Sequence, residues 1–416
     1  TNSWVAFFNL KKGVVLMLSV ISDDKVSQWS SQRILMRVDY NCPMSDGRVT
    51  DATRIDRTLA GIKRLTDAGA SVILMSHFGR PKGVRQAEMS LAPVRAYLSD
   101  ILGYDVTMAD DICGTGAAEM ASALAPGKVM LLENLRFHAG EEANDPDFAA
   151  SLAALGDIFV GNAFSCAHRA HASTEGVAHL LPAFAGDTLA AEVHALHTVL
   201  ETPKRPVAAV VGGAKISTKL AVLEHLIERV DHLILGGGMA NTFLAAGGAD
   251  MGLSLQEADM YDTARKIMTA ATAKGCQLHL PVDGVVAETF AEGADNKVVG
   301  NDTIGSSEMV LDIGPDSIAR ACAVLDQCET VLWNGPMGAF EVQPFDKATV
   351  QLARHAAMLT AQNKLISVAG GGDTVAALNH AGAAGQFSYV SLAGGAFLEW
   401  IEGKRLPGIA VLSITP

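Results

Sequence analysis

The 416-residue chain lacks several features that would have assigned it to a common class. No apolar run approaches the roughly 20 residues that a membrane-spanning helix needs. Its six cysteines show no C-x-x-C and no paired spacing, so the sequence predicts free thiols in a reducing compartment rather than a disulfide framework. The net charge of −13 argues against generic binding to nucleic acid or to an acidic membrane. An acidic protein that binds an anion must therefore concentrate its basic groups locally.

The two common nucleotide-binding glycine motifs are also missing. Neither G-x-x-x-x-G-K-[ST] nor G-x-G-x-x-G occurs, so a P-loop enzyme and a standard dinucleotide fold are not supported. Glycine clusters instead follow four predicted strands, at 212–213, 236–238, 370–372 and 394–395. Glycine lets a phosphate approach the backbone N–H groups at a helix start. Four such strand ends in one half of the chain indicate a shared anionic ligand.

Short apolar runs alternate with helical patterns along both halves of the chain. This order is typical of parallel α/β sheets, so the sequence predicts an α/β fold with one sheet in each half. A helix over Ala190–Glu201, followed by prolines at 203 and 206, is predicted to connect the halves. The predicted strands are Ile34–Val38, Val72–Met75, Val129–Leu132, Ile158–Val160, 207–211, 232–235, 277–280, 330–333, 364–368 and 387–391. The predicted helices include Leu91–Leu102, Phe148–Leu155, Glu257–Lys274, Lys347–Gln362 and Leu398–Glu402.

Basic residues follow the predicted strands of the first half. Ligands of an open α/β sheet lie outside the carboxyl ends of its strands, and arginine suits carboxylates and phosphates. Asp39 and Asn41 add groups that could bind hydroxyls, so we predict a small, strongly anionic, hydroxylated ligand here. Zinc is not favoured, because the histidines lack Cys or carboxylate partners at ligand spacing. The basic residues are Arg37, Arg54, Arg80, Arg136, Arg169, His77, His168 and His171.

The second half carries groups that suit a nucleotide. Lys215 and Lys219 lie one turn apart at a predicted helix start, directly after a glycine pair, which suits a triphosphate. Glu341 ends a rigid turn and could accept hydrogen bonds from a ribose. Asp373 could be a simple helix cap, or it could bind Mg²⁺ beside phosphate oxygens.

From Arg33 onward the chain resembles the phosphoglycerate kinases. The resemblance rests on long strings in family order: RVDYNCP, SHFGRP, LLENLRF, AHRAHAS, GGAKISTK, GGGMANTFL, LDIGP, WNGPMGAFE, GGGDT, AGGAFLE and LPG. It implies two Rossmann-like domains joined by a hinge helix. It also implies reversible phosphoryl transfer between ATP and 3-phospho-D-glycerate with Mg²⁺. A cytoplasmic monomer without nucleic-acid or membrane partners is expected, and organelle targeting by the N-terminal tail stays open.

The resemblance further implies domain boundaries and site residues. The expected segments are an unmatched tail (1–30), a glycerate-binding domain (31–188), a connector helix (189–204), a nucleotide-binding domain (205–400) and a C-terminal segment returning to the first domain (401–416). Expected substrate contacts are Asp39, Tyr40, Asn41, Arg54, His77, Phe78, Gly79, Arg80, Arg136 and Arg169. Expected nucleotide contacts are Gly213, Lys215, Lys219, Gly237, Gly238, Leu311, Asn334, Glu341, Gly371, Gly372, Asp373 and Thr374. Asp373 is the expected metal ligand, and Arg54, Lys215, Gly372 and Gly395 are the expected catalytic groups.

The chain departs from the family pattern at a few positions. Asn162 stands where the family usually has Asp, and we expect weaker support for Arg169 or the histidines there. Leu392 removes a hydroxyl near the last glycine turn, and Val310 lies in the expected adenine pocket. Two alternatives therefore stay open: a different acyl-phosphate-forming kinase, and a non-catalytic protein that binds both ligands without turnover.

Overall fold

The computed structural model describes residues 7–10 and 14–414, with side chains described from Met17 to Ser413. Of the expected N-terminal tail, residues 1–6 and 11–13 lie outside the described residues. None of the described helices has both the length and the apolar character needed to cross a membrane.

Strands and helices alternate through most of the described chain. The strands are β1 (Phe7–Leu10), β2 (Val14–Leu18), β3 (Arg33–Arg37), β4 (Met44–Ser45), β5 (Arg48–Val49), β6 (Ser71–Met75), β7 (Thr107–Met108), β8 (Val129–Leu131), β9 (Ile158–Gly161), β10 (Ala183–Ala185), β11 (Val207–Val211), β12 (His232–Leu235), β13 (Gln277–His279), β14 (Asp283–Ala287), β15 (Asn296–Gly300), β16 (Met309–Ile313), β17 (Thr330–Asn334), β18 (Ile366–Gly370), β19 (Tyr389–Ser391) and β20 (Ser413–Ile414).

The helices fill the connections between these strands. The α-helices are α1 (Asp23–Val26), α2 (Thr53–Asp67), α3 (Ala92–Leu102), α4 (Thr115–Ala123), α5 (Ala139–Ala143), α6 (Pro146–Ala153), α7 (Asp187–Leu200), α8 (Leu220–Leu226), α9 (Gly237–Ala246), α10 (Tyr261–Lys274), α11 (Pro315–Leu325), α12 (Lys347–Ala361), α13 (Gly372–His380), α14 (Gly394–Ile401) and α15 (Pro407–Ala410). Short 3-10 turns cover Ala87–Met89, Leu135–Phe137, Phe164–Cys166, Val177–His179, Ala258–Met260 and Ala384–Gln386, and Ala172–Gly176 is a π turn.

The described chain forms two compact units. One runs to His194 and resumes at Arg405, and the other spans Ala195–Lys404, so the boundary falls within α7. In the first unit, the returning segment is held by the Gly408 N–H, which donates to the Ala167 carbonyl at 2.9 Å. In the same unit β20 pairs with β2.

A parallel sheet forms the centre of the first unit. Its six strands lie in the order β10-β9-β3-β6-β8-β7, and every pairing is parallel. All five residues of β6 are buried, as expected for a strand covered by helices on both faces. Helix α2 buries Ile55, Ile62 and Leu65, which recur at helical spacing. The predicted parallel α/β sheet is thus confirmed here.

The second unit holds an equivalent sheet. The order is β13-β12-β11-β17-β18-β19, again with parallel pairing throughout. Its core includes the fully buried Trp333, and Leu352 from α12 lies in the same cluster. The two-sheet α/β prediction is therefore confirmed.

A second, antiparallel sheet in this unit was not predicted from the sequence. It has the order β15-β14-β16. Strand β15 is largely exposed and carries Asn and Lys in its first half, so it lacks the apolar pattern that marks a strand. This strand is instead stabilised by its pairing with β14, which a local apolar pattern does not reveal.

Two helix starts differ by four residues from the sequence predictions. Helix α14 begins at Gly394, whereas the apolar pattern predicts a start at Leu398. Helix α10 begins at Tyr261 after a 3-10 turn, whereas the prediction started it at Glu257. Apolar periodicity does not register the glycines in the first turn of α14, and it does not distinguish the 3-10 turn at Ala258–Met260 from the start of α10.

Candidate active site

Asp39 follows β3 and binds two neighbouring side chains. Arg54, in the first turn of α2, donates to its carboxylate at 2.5 Å, and so does the Ser165 hydroxyl at 2.5 Å. Its other oxygen accepts from the Asn41 N–H at 3.1 Å. Burial would raise the pKa of Asp39, but the charge of Arg54 and the hydrogen bonds from Ser165 and Asn41 bring it below its ordinary value. An ionised carboxylate is thus fixed at the strand end.

His77 follows β6 and is oriented by a buried arginine. The Arg37 guanidinium donates to the His77 Nδ1 atom at 3.1 Å and to the Ser173 hydroxyl at 2.8 Å. Burial, and then the Arg37 charge, place the pKa of His77 well below its ordinary value. The imidazole is therefore neutral, with Nδ1 as acceptor and the proton on Nε2. Sequence reasoning noted Arg37 but did not assign it this role.

A fully buried carboxylate lies behind Arg37. Glu141 accepts from the Ser173 N–H at 3.0 Å and from its hydroxyl at 2.6 Å. Its oxygen lies 4.0 Å from the Arg37 guanidinium. A buried guanidinium needs such a counter-charge. The sequence carried no signal for this pairing, because Glu141 lies far along the chain in α5.

Asn134 connects the segments that follow β6 and β8. Its side chain accepts from the N–H groups of Phe78 and Arg136, each at 3.1 Å, and donates to the Phe78 carbonyl at 2.7 Å. The Gly79 carbonyl accepts from Arg136 at 2.8 Å, and the Gly79 N–H donates to Asn41 at 3.0 Å. These bonds bring four of the expected substrate contacts into one hydrogen-bonded group.

Arg136 is buried, and other cationic side chains lie near it. Burial lowers the pKa of its guanidinium, Glu142 opposes that effect, and Arg37 and Arg169 add to it. Its Nε atom lies 3.1 Å from the Glu142 carboxylate. Arg37, Arg54 and Arg136 thus lie at the carboxyl ends of the strands, and we call this region the cationic edge.

Three further expected substrate contacts lie outside this hydrogen-bonded group. Arg80 is exposed, and Arg169 is exposed with its Nε atom donating to His168 at 3.1 Å. Tyr40 turns its ring into the core, where its hydroxyl bonds to Thr58 at 2.8 Å. Any ligand contact by Tyr40 would therefore involve its backbone rather than its ring.

Among the side chains described between residues 17 and 413, one group has metal-ligand spacing. Candidate atoms of Asp39, His77 and Cys166 lie within 4.8 Å of one another. Burial raises the pKa of the Cys166 thiol, which disfavours the thiolate that a metal needs. The guanidinium groups of Arg37 and Arg54 lie beside the group. Its surroundings favour an anion over a cation.

Asn162 supports the start of α7. Its side-chain oxygen accepts from the Thr188 N–H at 2.9 Å and from the Thr188 hydroxyl at 2.6 Å. Only an acceptor oxygen is needed for these bonds, and an amide provides one as a carboxylate would. Asn162, at a position where the family usually has Asp, is therefore compatible with the local fold.

In the second unit, glycines allow strand ends to approach closely. A Cβ atom on Gly212 would lie 1.8 Å from the Pro336 carbonyl oxygen, so no side chain fits. Gly237 has a positive φ of 68°. Its N–H donates to the Met337 carbonyl at 2.8 Å. The ends of β11, β12 and β17 are thereby joined through backbone contacts.

Lys219 ties two of these strand ends together. Its ammonium donates to the carbonyls of Gly212, at 2.6 Å, and Asn334, at 2.9 Å. Burial lowers the pKa of Lys219 to about 8, and the charge of Asp373 opposes this shift. The ammonium is thus charged at neutral pH but close to its titration range.

The turn after β17 is bonded to the start of α13. The Asn334 side chain donates to the Gly370 carbonyl at 2.7 Å, and the Gly335 N–H donates to the Thr374 hydroxyl at 2.7 Å. Gly371, directly before α13, has a positive φ of 103°. Asn334 and Thr374, two of the expected nucleotide contacts, thus bond to the backbone through their side chains. Gly371, a third expected contact, lies between them at the start of α13.

A cavity of about 560 Å³ opens beside these strand ends. Apolar walls come from α9, the following segment and β16, including Leu253, Leu255 and Val310. Such walls suit a flat heterocycle. We call this space the glycine cavity. The expected nucleotide contacts that line it are Gly213, Gly237, Gly238, Leu311, Glu341 and Asp373.

The remaining expected groups lie around this cavity or at helix starts. Lys215 is exposed in the loop before α8. Gly372 and Gly395 are exposed in the first turns of α13 and α14. A Cβ on Gly372 would meet no atom within 4 Å, so space remains for a ligand there. Helix starts of this kind favour anions.

A cationic sheet edge and a glycine-rich, lysine-flanked cavity on parallel α/β sheets define a phosphotransferase of the α/β class. The comparisons with known proteins agree with that class. The profile of the phosphoglycerate kinase family matches residues 24–404. The phosphoglycerate kinase of Azorhizobium caulinodans is 58% identical over 92% of this chain and 96% of its own length. That of Rhizobium meliloti is 56% identical over 94% and 98%.

Solved structures give the same result. The phosphoglycerate kinase of Coxiella burnetii superposes with a TM-score of 0.86 at 43% identity, covering 92% of this chain and 96% of that one. The enzyme of Pyrococcus horikoshii gives a TM-score of 0.76 at 28% identity and the same coverage. The chain belongs to the phosphoglycerate kinase family, and it is a kinase enzyme.

The titration of Lys219 should appear in nucleotide binding. Its charge is present below about pH 8 and is lost as the pH rises through that value. We expect the Kd for ADP, measured by calorimetry, to rise by up to about tenfold per pH unit above this point. Lys219→Arg should remove this dependence, because a guanidinium stays charged. An arginine variant with the same slope as the native chain would contradict the assignment.

Proposed function

We propose that this kinase transfers a phosphoryl group reversibly between Mg-ATP and the carboxylate of 3-phospho-D-glycerate, giving ADP and 1,3-bisphosphoglycerate. This is a step of glycolysis and gluconeogenesis. The observation that carries the proposal is the cationic edge, where an acidic chain gathers Arg37, Arg54 and Arg136 beside a neutral His77. Such a site suits a phosphorylated hydroxy acid.

The glycerate ligand is assigned to the cationic edge. Arg80, Arg136 and Arg169 bind its distal phosphate, and the exposed positions of Arg80 and Arg169 leave them accessible. Asp39 and Asn41 bind its hydroxyl. The Nε2–H of His77 is a donor for the ligand, since Nδ1 already accepts from Arg37.

The nucleotide is assigned to the glycine cavity. Its apolar walls take the adenine, and Glu341 accepts from the ribose. Lys219 binds the phosphates. Asp373 lines the cavity as an exposed carboxylate, and this donor fits Mg²⁺, which takes one or two carboxylates with phosphate oxygens and water. When bound, the metal would neutralise charge on the phosphates.

The chemistry needs positioning and charge neutralisation. The attacking carboxylate has an ordinary pKa of about 3.5, so it is ionised at neutral pH without a general base. Phosphoryl transfer depends mainly on in-line placement and electrostatic stabilisation. We assign Arg54 and Lys215 to the transferring phosphoryl oxygens. The backbone N–H groups at Gly372 and Gly395, in helix first turns, supply further donors.

The enzyme is assigned to the cytoplasm as a monomer. One chain carries both the cationic edge and the glycine cavity, so the reaction needs no second copy. The net charge of −13 supports neither a nucleic-acid nor an acidic-membrane partner. The described helices include none that could cross a membrane.

An enzyme assay separates this function from its alternatives. We expect ATP turnover with 3-phosphoglycerate but not with acetate or aspartate, and a loss of turnover with a chelator that added Mg²⁺ reverses. Turnover with acetate or aspartate would indicate a different acyl-phosphate-forming kinase. Binding of both ligands without turnover would indicate a non-catalytic protein.

Lys215→Ala tests the main catalytic assignment. Removing an ammonium that contacts the transferring group should lower kcat by about 10²- to 10³-fold, with a much smaller change in 3-phosphoglycerate affinity. Steady-state kinetics and a binding titration measure both. Lys266→Ala, which removes an exposed lysine on α10, is the matched control. A near-normal kcat in Lys215→Ala would refute the role.

The two ligand sites belong to different units, so we propose that α7 acts as a hinge and that closure completes the site. Closure would also exclude water, which could otherwise hydrolyse ATP or the acyl phosphate. Small-angle scattering should give a smaller radius of gyration with both substrates than with either one. An unchanged radius in the ternary complex would contradict the proposed closure.

A further inference from the structure

The loop that carries Lys215 is bound to a carboxylate outside it. Glu257 accepts from the Ser217 N–H at 3.0 Å and from the Ser217 hydroxyl at 2.5 Å. The Ile216 N–H also donates to this carboxylate. Three donors from two consecutive residues thus meet one side chain, between the two lysines assigned to the phosphates.

The loop needs such an anchor because it has little regular structure. It runs from the end of β11 to the start of α8, and Lys215, Ser217 and Thr218 in it are exposed. Ile216 is fully buried, and the ammonium of Lys219 is held by two carbonyls. These contacts fix the core-facing and C-terminal parts of the loop. The exposed part next to Lys215 is held through Ser217.

Glu257 is held in turn by α9, which contributes to the glycine cavity. Its backbone N–H donates to the Thr242 hydroxyl at 3.0 Å, and Thr242 lies in α9. The neighbouring Leu255 carbonyl accepts from Asn241, also in α9, at 3.2 Å. The first residues of α9, Gly237 and Gly238, line the glycine cavity. Helix α9 therefore contributes to the glycine cavity and also supports Glu257, which holds the loop that carries Lys215.

The charge of Glu257 suits this role. Burial acts to raise its pKa, but the bonds from Ser217 and Ile216 and the charge of Lys215 bring it below the ordinary value. The carboxylate therefore stays ionised at neutral pH and accepts all three donors. A charged acceptor forms stronger hydrogen bonds than a neutral one.

We propose that Glu257 is a positioning residue for phosphoryl transfer: its carboxylate holds the Ile216–Ser217 backbone and thereby sets where the Lys215 ammonium lies relative to the glycine cavity. This inference rests on the proposed role of Lys215. Glu257 does not need to touch substrate. It acts through the loop, so its effect depends on the lysine.

The dependence on Lys215 gives a test. Glu257→Gln keeps the size but loses the charge and one acceptor oxygen. We expect it to lower kcat by about tenfold, with the KM for 3-phosphoglycerate within about twofold, because small misplacements of catalytic groups cost rate more than binding. Glu257→Asp should recover part of the loss. Asp259→Asn, which removes an exposed carboxylate from the adjacent 3-10 turn, should match the native chain.

A double-mutant cycle identifies the route of the effect. In a Lys215→Ala background, Glu257→Gln should change kcat by less than about twofold, because the group that it positions is gone. Ser217→Ala removes the hydroxyl from the other side of the contact, and it should lower kcat in the same direction by a smaller factor. It provides the same test if Glu257 variants fold poorly, which their thermal unfolding midpoints report.

Two failures can be told apart. If Lys215→Ala is nearly as active as the native chain, the proposed catalytic role of Lys215 is wrong. If Lys215→Ala is impaired while Glu257→Gln and Ser217→Ala keep native kcat, the role of Lys215 stands and the positioning role of Glu257 is wrong. An equal kcat loss on adding Glu257→Gln to the native and Lys215→Ala chains would likewise overturn positioning through Lys215.

Discussion

Repulsion between like charges limits how many guanidinium groups one sheet edge can hold, and the first unit is built around that limit. Each arginine of the cationic edge has its own carboxylate: Asp39 for Arg54, Glu142 for Arg136, and the buried Glu141 for Arg37. Removing such a partner from a buried charge is costly, so these pairs stabilise the site before any ligand binds. An anionic ligand would then add to charges that are already in place.

In the second unit the main constraint is different, because backbone groups must lie close enough together to bind a polyanion. The Gly212 position leaves no room for a side chain against Pro336, and this contact sets the approach of β11 to the turn after β17. Lys219 spans the same two strand ends through their carbonyls. Because its ammonium donates to both strand ends, its charge and the sheet geometry depend on each other.

Many strands and glycine turns of this protein could be predicted from residue patterns. Apolar runs such as 207–211 coincide with the observed strand, and the glycine clusters lie at strand ends as predicted. These patterns depend on local backbone geometry, which a short window of sequence contains. The β14–β16 sheet was missed because the exposed β15 has no apolar alternation. The family resemblance nevertheless placed Val310 and Leu311, which lie on β16, at the nucleotide site, and both line the glycine cavity. The start of α14 was placed late because glycines carry no periodicity.

The sequence by itself determined the α/β order, the placement of arginines after strands and the glycine turns, because each follows from neighbouring residues. Only the tertiary structure decided which groups meet across long distances in the chain. Arg37 reaches Ser173 and lies near Glu141, and Glu257 reaches Ser217, although nothing local marks these pairs. Their partners are selected by burial, since a buried or ordered polar group must find a partner wherever the fold brings one. That requirement acts on the folded chain as a whole and leaves no periodic trace in the sequence.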